Sequence, residues 1–98
     1  MVYDSKFKSR EVDELFEAVM CLKTQEECYR FFEDICTANE LHAISQRLQV
    51  AKMLSEGNTY TDIESKTKAS AATISRVNKS FLYGSDGYKL VLDKIKDL

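Results

Sequence analysis

Apolar residues recur at spacings of three and four along most of the chain, the periodicity of one face of an α-helix. Before the first glycine, Gly57, the pattern predicts helices over about residues 10–22, 25–36 and 37–56. Gly57 and Asn58 are predicted to end the third helix, because glycine readily adopts the left-handed conformation that terminates helices. The chain has no proline and no glycine before Gly57, so helix-breaking residues are absent from more than half of it. We therefore predict an all-α fold.

Residues 59–83 predict two short helices joined by a tight turn, a helix-turn-helix. Thr59 and Ser70 stand at the two helix starts, where a hydroxyl accepts a hydrogen bond from a backbone N–H. Ile63 anchors the first helix, and Ile74, Val77 and Phe81 form the inward stripe of the second. Small residues open the opposite face of the second helix, which leaves room to approach base edges in a DNA major groove.

The charge is unevenly distributed, which matters more than the net charge of −2. Residues 1–58 carry a net charge of −4, whereas residues 59–83 carry +2 and have no acid after Glu64. A basic motif of this kind attracts phosphate. We predict that double-stranded DNA contacts the following residues: Thr59, Lys66, Lys68, Ser70, Ala71, Ala72, Thr73, Ser75, Arg76 and Lys79. Two alternatives stay open: an ordinary helical hairpin with a solvated basic face, and a module that binds an acidic protein.

The remaining segments complete a single predicted domain, residues 1–98. A turn at residues 84–87 precedes an amphipathic helix over 88–97. Residues 1–9 are polar and basic, so they predict either a flexible arm or an arm that follows a phosphate backbone. The helices of residues 10–57 carry apolar surfaces too wide for one stripe, which indicates burial against a second chain.

Several function classes lack support in the sequence. Cys21, Cys28 and Cys36 form no CxxC pair, and His42 is the only histidine, so no metal site is predicted. We expect the thiols to be buried or half-buried and reduced. No catalytic constellation or phosphate-binding glycine loop occurs, so we expect neither an enzyme nor a cofactor. No apolar run approaches the ~20 residues of a membrane span, and no secretory signal opens the chain. We expect a cytoplasmic protein.

The segment 72–76 (ATISR), with Ser80 four residues on, resembles the reading helix of the Trp repressor family. Residues 37–57 are similar to the family's long central helix, with a one-residue shortening just after Gly57. Within the family, the YerC/YecD type is the most similar. The resemblance implies a six-helix, intertwined homodimer that regulates bacterial transcription at a palindromic operator on the nucleoid. Two reading helices roughly 34–36 Å apart would then enter successive major grooves.

The same resemblance implies an effector pocket. Arg47 and Arg76 match the two arginines that hold the family's corepressor, and Ser80 matches a polar contact beside it. Val77, however, stands where tryptophan-binding members have glycine, and we expect its side chain to take the space of the indole. We therefore predict no response to tryptophan, and either another small-molecule corepressor or none. Lys68 is a second departure, because glycine is usual at that turn.

Overall fold

The computed structural model describes residues 3–96 and 98. Over that part of the chain the protein forms six α-helices and no strand, which confirms the predicted all-α fold. The helices are α1 (Arg10–Met20), α2 (Gln25–Ile35), α3 (Ala38–Ser55), α4 (Tyr60–Thr67), α5 (Ala71–Tyr83) and α6 (Gly87–Ile95). Residue 97, where the last helix was predicted to end, lies outside the described residues. No helix among those described is both long enough and apolar enough to cross a membrane.

The chain divides into two compact units, Met1–Ala38 and Asn39–Leu98. The first contains α1 and α2, and neither helix has a buried residue. Large apolar side chains of these helices are instead exposed, including Phe16 at 57%, Met20 at 83% and Tyr29 at 58%. The single predicted domain over residues 1–98, with its boundaries, stays a prediction.

The basic N-terminal segment is described from Tyr3 onward, and Met1 and Val2 lie outside the described residues. Lys8 of this segment pairs with Asp13 of α1, and Arg10, the first residue of α1, pairs with Glu14 at 3.3 Å. All four side chains are exposed to solvent, so each pair contributes little to stability. Whether this segment acts as an arm on DNA stays a prediction.

The second unit has one small apolar core. It is formed by residues from α3, from α4 and α5, and from the turn between them: Val50, Ala51, Ile63, Ala69, Ile74 and Val77. Ile63, Ile74 and Val77, three of the four inward residues expected for the helix-turn-helix, are at most 2% exposed, whereas the fourth, Phe81, is only half-buried. Burial of aliphatic side chains of this size stabilises a fold by about 1.5–3 kcal/mol each. The core therefore holds α4 and α5 against α3.

The end of α3 follows the predicted glycine-closed pattern. Gly57 adopts a φ of +84°, in the left-handed region. The backbone N–H of Asn58 donates to Met53 O, and that of Gly57 donates to Leu54 O, both at 3.1 Å. This pair of bonds is the Schellman arrangement, and it satisfies carbonyls that the helix itself leaves unpaired.

Lys68 ends α4 in the left-handed conformation, with φ of 63° and ψ of 12°. Its backbone N–H donates to Glu64 O at 2.9 Å, and its Nζ donates to Ser65 O at 3.0 Å. The turn thus keeps the geometry that glycine would favour, although a lysine fills the position. A left-handed conformation costs a residue with a side chain about 1–2 kcal/mol.

Replacing Lys68 by glycine is expected to stabilise the protein. The strain at this position exceeds the greater backbone entropy that glycine loses on folding, so Lys68→Gly should raise the free energy of unfolding by about 0.5–1 kcal/mol. Urea denaturation at fixed protein concentration measures the change. The matched control is Lys66→Gly, inside α4, which should lower the free energy of unfolding by a similar amount. Equal destabilisation by both variants would contradict the strain at Lys68.

Candidate nucleic-acid interface

Hydroxyl caps define where both helices of the motif begin. Thr59 Oγ1 accepts a hydrogen bond from the backbone N–H of Asp62 at 3.2 Å. Ser70 Oγ accepts one from the backbone N–H of Thr73 at 3.1 Å. Each bond satisfies a donor that the first turn of a helix leaves unpaired. The two predicted helix starts are therefore confirmed.

The first turn of α5 presents small side chains to solvent. Ala71, Ala72 and Ser75 are exposed, whereas Ile74 and Val77 are buried beneath them. The buried residues follow helical spacing and fix which side of α5 faces outward. The exposed side of α5 therefore carries only small side chains in its first turn, where larger side chains would hinder entry into a DNA groove.

Thr73 lies differently from its neighbours. It is half-buried, and its Oγ1 lies 3.1 Å from Ser70 Oγ, so the two hydroxyls share a hydrogen bond at the start of α5. Thr73 also lines a cavity on the inner side of the helix. Its side chain therefore faces the cap and the cavity rather than the smooth outer surface.

Exposed cations follow the small residues. Lys66 in the last turn of α4, and Arg76 and Lys79 on α5, are exposed in the stretch that lacks acids. Lys68 is exposed too, but its ammonium group donates back to the end of α4. A cation near the C-terminal end of a helix interacts favourably with the helix dipole. A phosphate would therefore compete with a bond that Lys68 already makes.

A cavity of about 300 Å³ lies among α3, α5 and α6 in the second unit. The four residues predicted for an effector pocket, Arg47, Arg76, Val77 and Ser80, all line it. Four further residues complete the lining: Ala43, Gln46, Thr73 and Tyr88. Sequence reasoning missed these four. Ala43 could have been suspected because it lies four residues before Arg47 on the same face of α3, but no periodic pattern signals that α6 brings Tyr88 to this place.

Val77 is both core and cavity wall. It is 2% exposed and packs in the apolar cluster of the second unit, which confirms its expected inward position. A cavity persists beside it, so the isopropyl group forms part of the cavity wall. That this side chain takes the space of an indole stays a prediction. The side chain narrows the region next to Arg76 that a glycine would leave open.

Other reactive side chains do not assemble into a site in the part of the chain that the structure covers. No group of three or more His, Cys, Asp or Glu residues there could hold a metal ion. Cys21 and Cys28 are exposed, so the expectation that the thiols are at least half-buried is wrong for both; Cys36 is half-buried. The two exposed thiols lie in the first unit, whose helices bury no side chain of their own.

Two capped helices, joined by a left-handed turn and seated on a long helix through one apolar core, define a helix-turn-helix protein. The family model described as "Trp repressor protein" matches residues 10–96. The chain belongs to the Trp repressor family, and the six-helix fold expected from the resemblance is confirmed, whereas the intertwined homodimer stays a prediction.

Known relatives agree with this assignment over nearly the whole chain. The YerC protein of Bacillus subtilis (strain 168), described as uncharacterized, is 53% identical over 92 residues, which cover 94% of this chain and 88% of that protein. A TrpR-like protein from Eubacterium eligens ATCC 27750 has a crystal structure with a TM-score of 0.90 and 54% identity, covering 95% of this chain and 96% of that one. A Staphylococcus aureus crystal structure also has a TM-score of 0.90, with 50% identity over 93% of this chain and 91% of its own. The similarity to YerC and to the two solved chains agrees with the YerC/YecD type.

Proposed function

We propose that this protein is a sequence-specific, double-stranded-DNA-binding regulator of transcription. The observation that carries the proposal is the outer face of α5, where exposed Ala71, Ala72 and Ser75 precede exposed Lys79, and where Arg76, which lines the cavity, is exposed as well. Small side chains permit contact with base edges, and the cations behind them suit phosphates on either side of a groove. Membership of the Trp repressor family supports the same function. Such a regulator acts in the bacterial cytoplasm on nucleoid DNA.

The proposed contacts are of two kinds: contacts with phosphates position the protein on DNA, and contacts with base edges recognise the sequence. Lys66 and Lys79 would hold phosphates, helped by the N-termini of α4 and α5, where Thr59 and Ser70 lie. Ala71, Ala72 and Ser75 would meet base edges; methyl groups suit the thymine methyl, and a hydroxyl bonds directly or through water. Thr73 would act by fixing the start of the helix, since its hydroxyl bonds Ser70.

The active form in this proposal is a homodimer. Apolar side chains of α1 and α2 support it, because Phe16, Met20 and Tyr29 are all more than half exposed in a single chain. A 98-residue chain gains substantially from burying such surface against a second copy. A two-fold axis would also match a palindromic operator, with one reading helix for each half-site.

Regulation in this proposal does not depend on tryptophan. Arg47, Arg76 and Ser80 line the cavity, which suits a small polar effector, but Val77 contributes a branched wall beside Arg76. That wall reduces the room for an indole ring.

Selection from random double-stranded DNA is expected to return a palindromic consensus. Affinity for the selected sites should fall steeply with salt, with a slope in log K against log salt of about −0.9 for each phosphate neutralised. Ala72→Glu should remove binding to selected and random DNA alike, because its carboxylate would face phosphates. Ala72→Gln, the size-matched neutral control, should lose roughly 10–100-fold on selected sites only.

Fluorescence anisotropy with both DNAs, at several salt concentrations, measures these effects. A slope near zero would instead favour the alternative function, a module that binds an acidic protein through the same basic face. If Ala72→Glu and Ala72→Gln have equal affinities for selected sites, and equal affinities for random DNA, then α5 is not part of the DNA interface.

The homodimer is tested by sedimentation velocity. The wild-type protein should sediment as a dimer, and Phe16→Glu should shift it towards the monomer, because burying a carboxylate without a partner is costly. Tyr3→Glu, a change of the same type at an aromatic residue that is 67% exposed, is the control and should leave the dimer intact. A monomeric wild-type protein at micromolar concentration is the result that would refute the dimer.

Tryptophan is expected to give no binding heat in isothermal titration calorimetry, because of the Val77 wall. The same preparation must bind its selected DNA, which shows that the protein is active. A submillimolar dissociation constant for tryptophan would overturn this prediction.

A further inference from the structure

One hydrogen bond joins α3 directly to the turn of the helix-turn-helix. Gln46, half-buried on α3, donates from Nε2 to Thr67 O at 3.1 Å. The two residues are 21 positions apart, so this bond is tertiary. Thr67 is the last residue of α4, where carbonyls lack a partner within the helix. The amide of Gln46 therefore satisfies a carbonyl at the end of α4.

The accepting carbonyl lies where the chain changes direction. Thr67 Oγ1 donates to Ile63 O at 2.7 Å and accepts from the backbone N–H of Ala69 at 3.1 Å. Lys68 follows in the left-handed conformation, and the buried Ala69 comes next. Thr67 is thus bonded to α3, to α4 and to the turn. Its carbonyl belongs to the peptide that leads into Lys68, so turning that carbonyl changes the φ angle of Lys68, which is one of the angles that determine how α5 follows α4.

Lys68 makes the turn depend on outside support. A lysine prefers right-handed or extended backbone, so the left-handed turn competes with conformers that a glycine would not favour as strongly. The apolar core holds α4 and α5 against α3, but aliphatic contacts are not directional. A hydrogen bond is directional, and it loses strength when the donor angle bends.

We propose that Gln46 is the positioning residue that sets the orientation of the reading helix, by holding Thr67 O and so keeping Lys68 left-handed. The proposal rests on the proposed DNA-binding function. Gln46 itself touches no nucleic acid. It acts through the turn, so it affects the preference for the selected sequence and leaves attraction to phosphate unchanged.

The test compares the selected DNA sites with random-sequence DNA. Gln46→Met keeps the length and helix propensity of the side chain but removes the donor. It should lower affinity for selected sites about tenfold while changing affinity for random DNA, and its salt slope, less than twofold. Gln49→Met is the matched control, since Gln49 is an exposed residue of the same helix, and it should change neither affinity.

Repeating the comparison in a Lys68→Gly variant separates an effect on the position of α5 from a simple loss of protein stability. In protein that carries Lys68→Gly, the left-handed turn no longer depends on support, so adding Gln46→Met should reduce the preference for selected sites less than threefold. Amide hydrogen exchange at Ala69, measured without DNA, should accelerate in Gln46→Met and not in Gln49→Met. Should Gln46→Met fail to fold, Gln46→Asn keeps the amide but shortens its reach, and the same pattern is expected.

The outcomes separate the proposed DNA-binding function from the role of Gln46. If the wild-type protein shows no preference among DNA sequences, the proposed function fails, and this inference fails with it. If the wild-type protein is selective, three results each overturn the role of Gln46 alone. These are full selectivity in Gln46→Met, a parallel loss on both DNAs, and an equal loss with and without Lys68→Gly.

Discussion

The contact on which the second unit depends is the packing of Ile63 and Ile74 against Val50 and Ala51. All four residues are fully buried, and they come from three different helices. Since α4 has only 8 residues and α5 has 13, neither is long enough to be stable alone in water. The apolar core therefore stabilises the two short helices themselves, in addition to holding them together. The outward direction of the small residues on α5 follows from which residues that core buries.

The local features of this fold are accessible to sequence reasoning because their causes lie within a few residues. Helical spacing, the hydroxyls of Thr59 and Ser70, and Gly57 after α3 were enough to predict the helices and several of their ends. Each of these features depends on backbone geometry over four or five positions, which the sequence displays directly.

Features that depend on distant packing were less accessible. Arg47, Arg76, Val77 and Ser80 were grouped through a family resemblance, and they line one cavity. Tyr88 and Gln46 join them only because α3, α5 and α6 surround that space, which no spacing along the chain reveals. The exposed Cys21 and Cys28 have a related cause, since helical apolar neighbours do not bury a thiol when the helix buries none of its own side chains.

Thr73 is held in two ways at once, by the hydroxyl of Ser70 and by its position in the cavity wall. A substitution at residue 73 therefore changes the beginning of α5 and the shape of the cavity in one step. During divergence of related chains, the two properties would not vary independently at this site. A substitution that reshapes the cavity at residue 73 therefore needs compensating changes elsewhere if the start of α5 is to keep its present form.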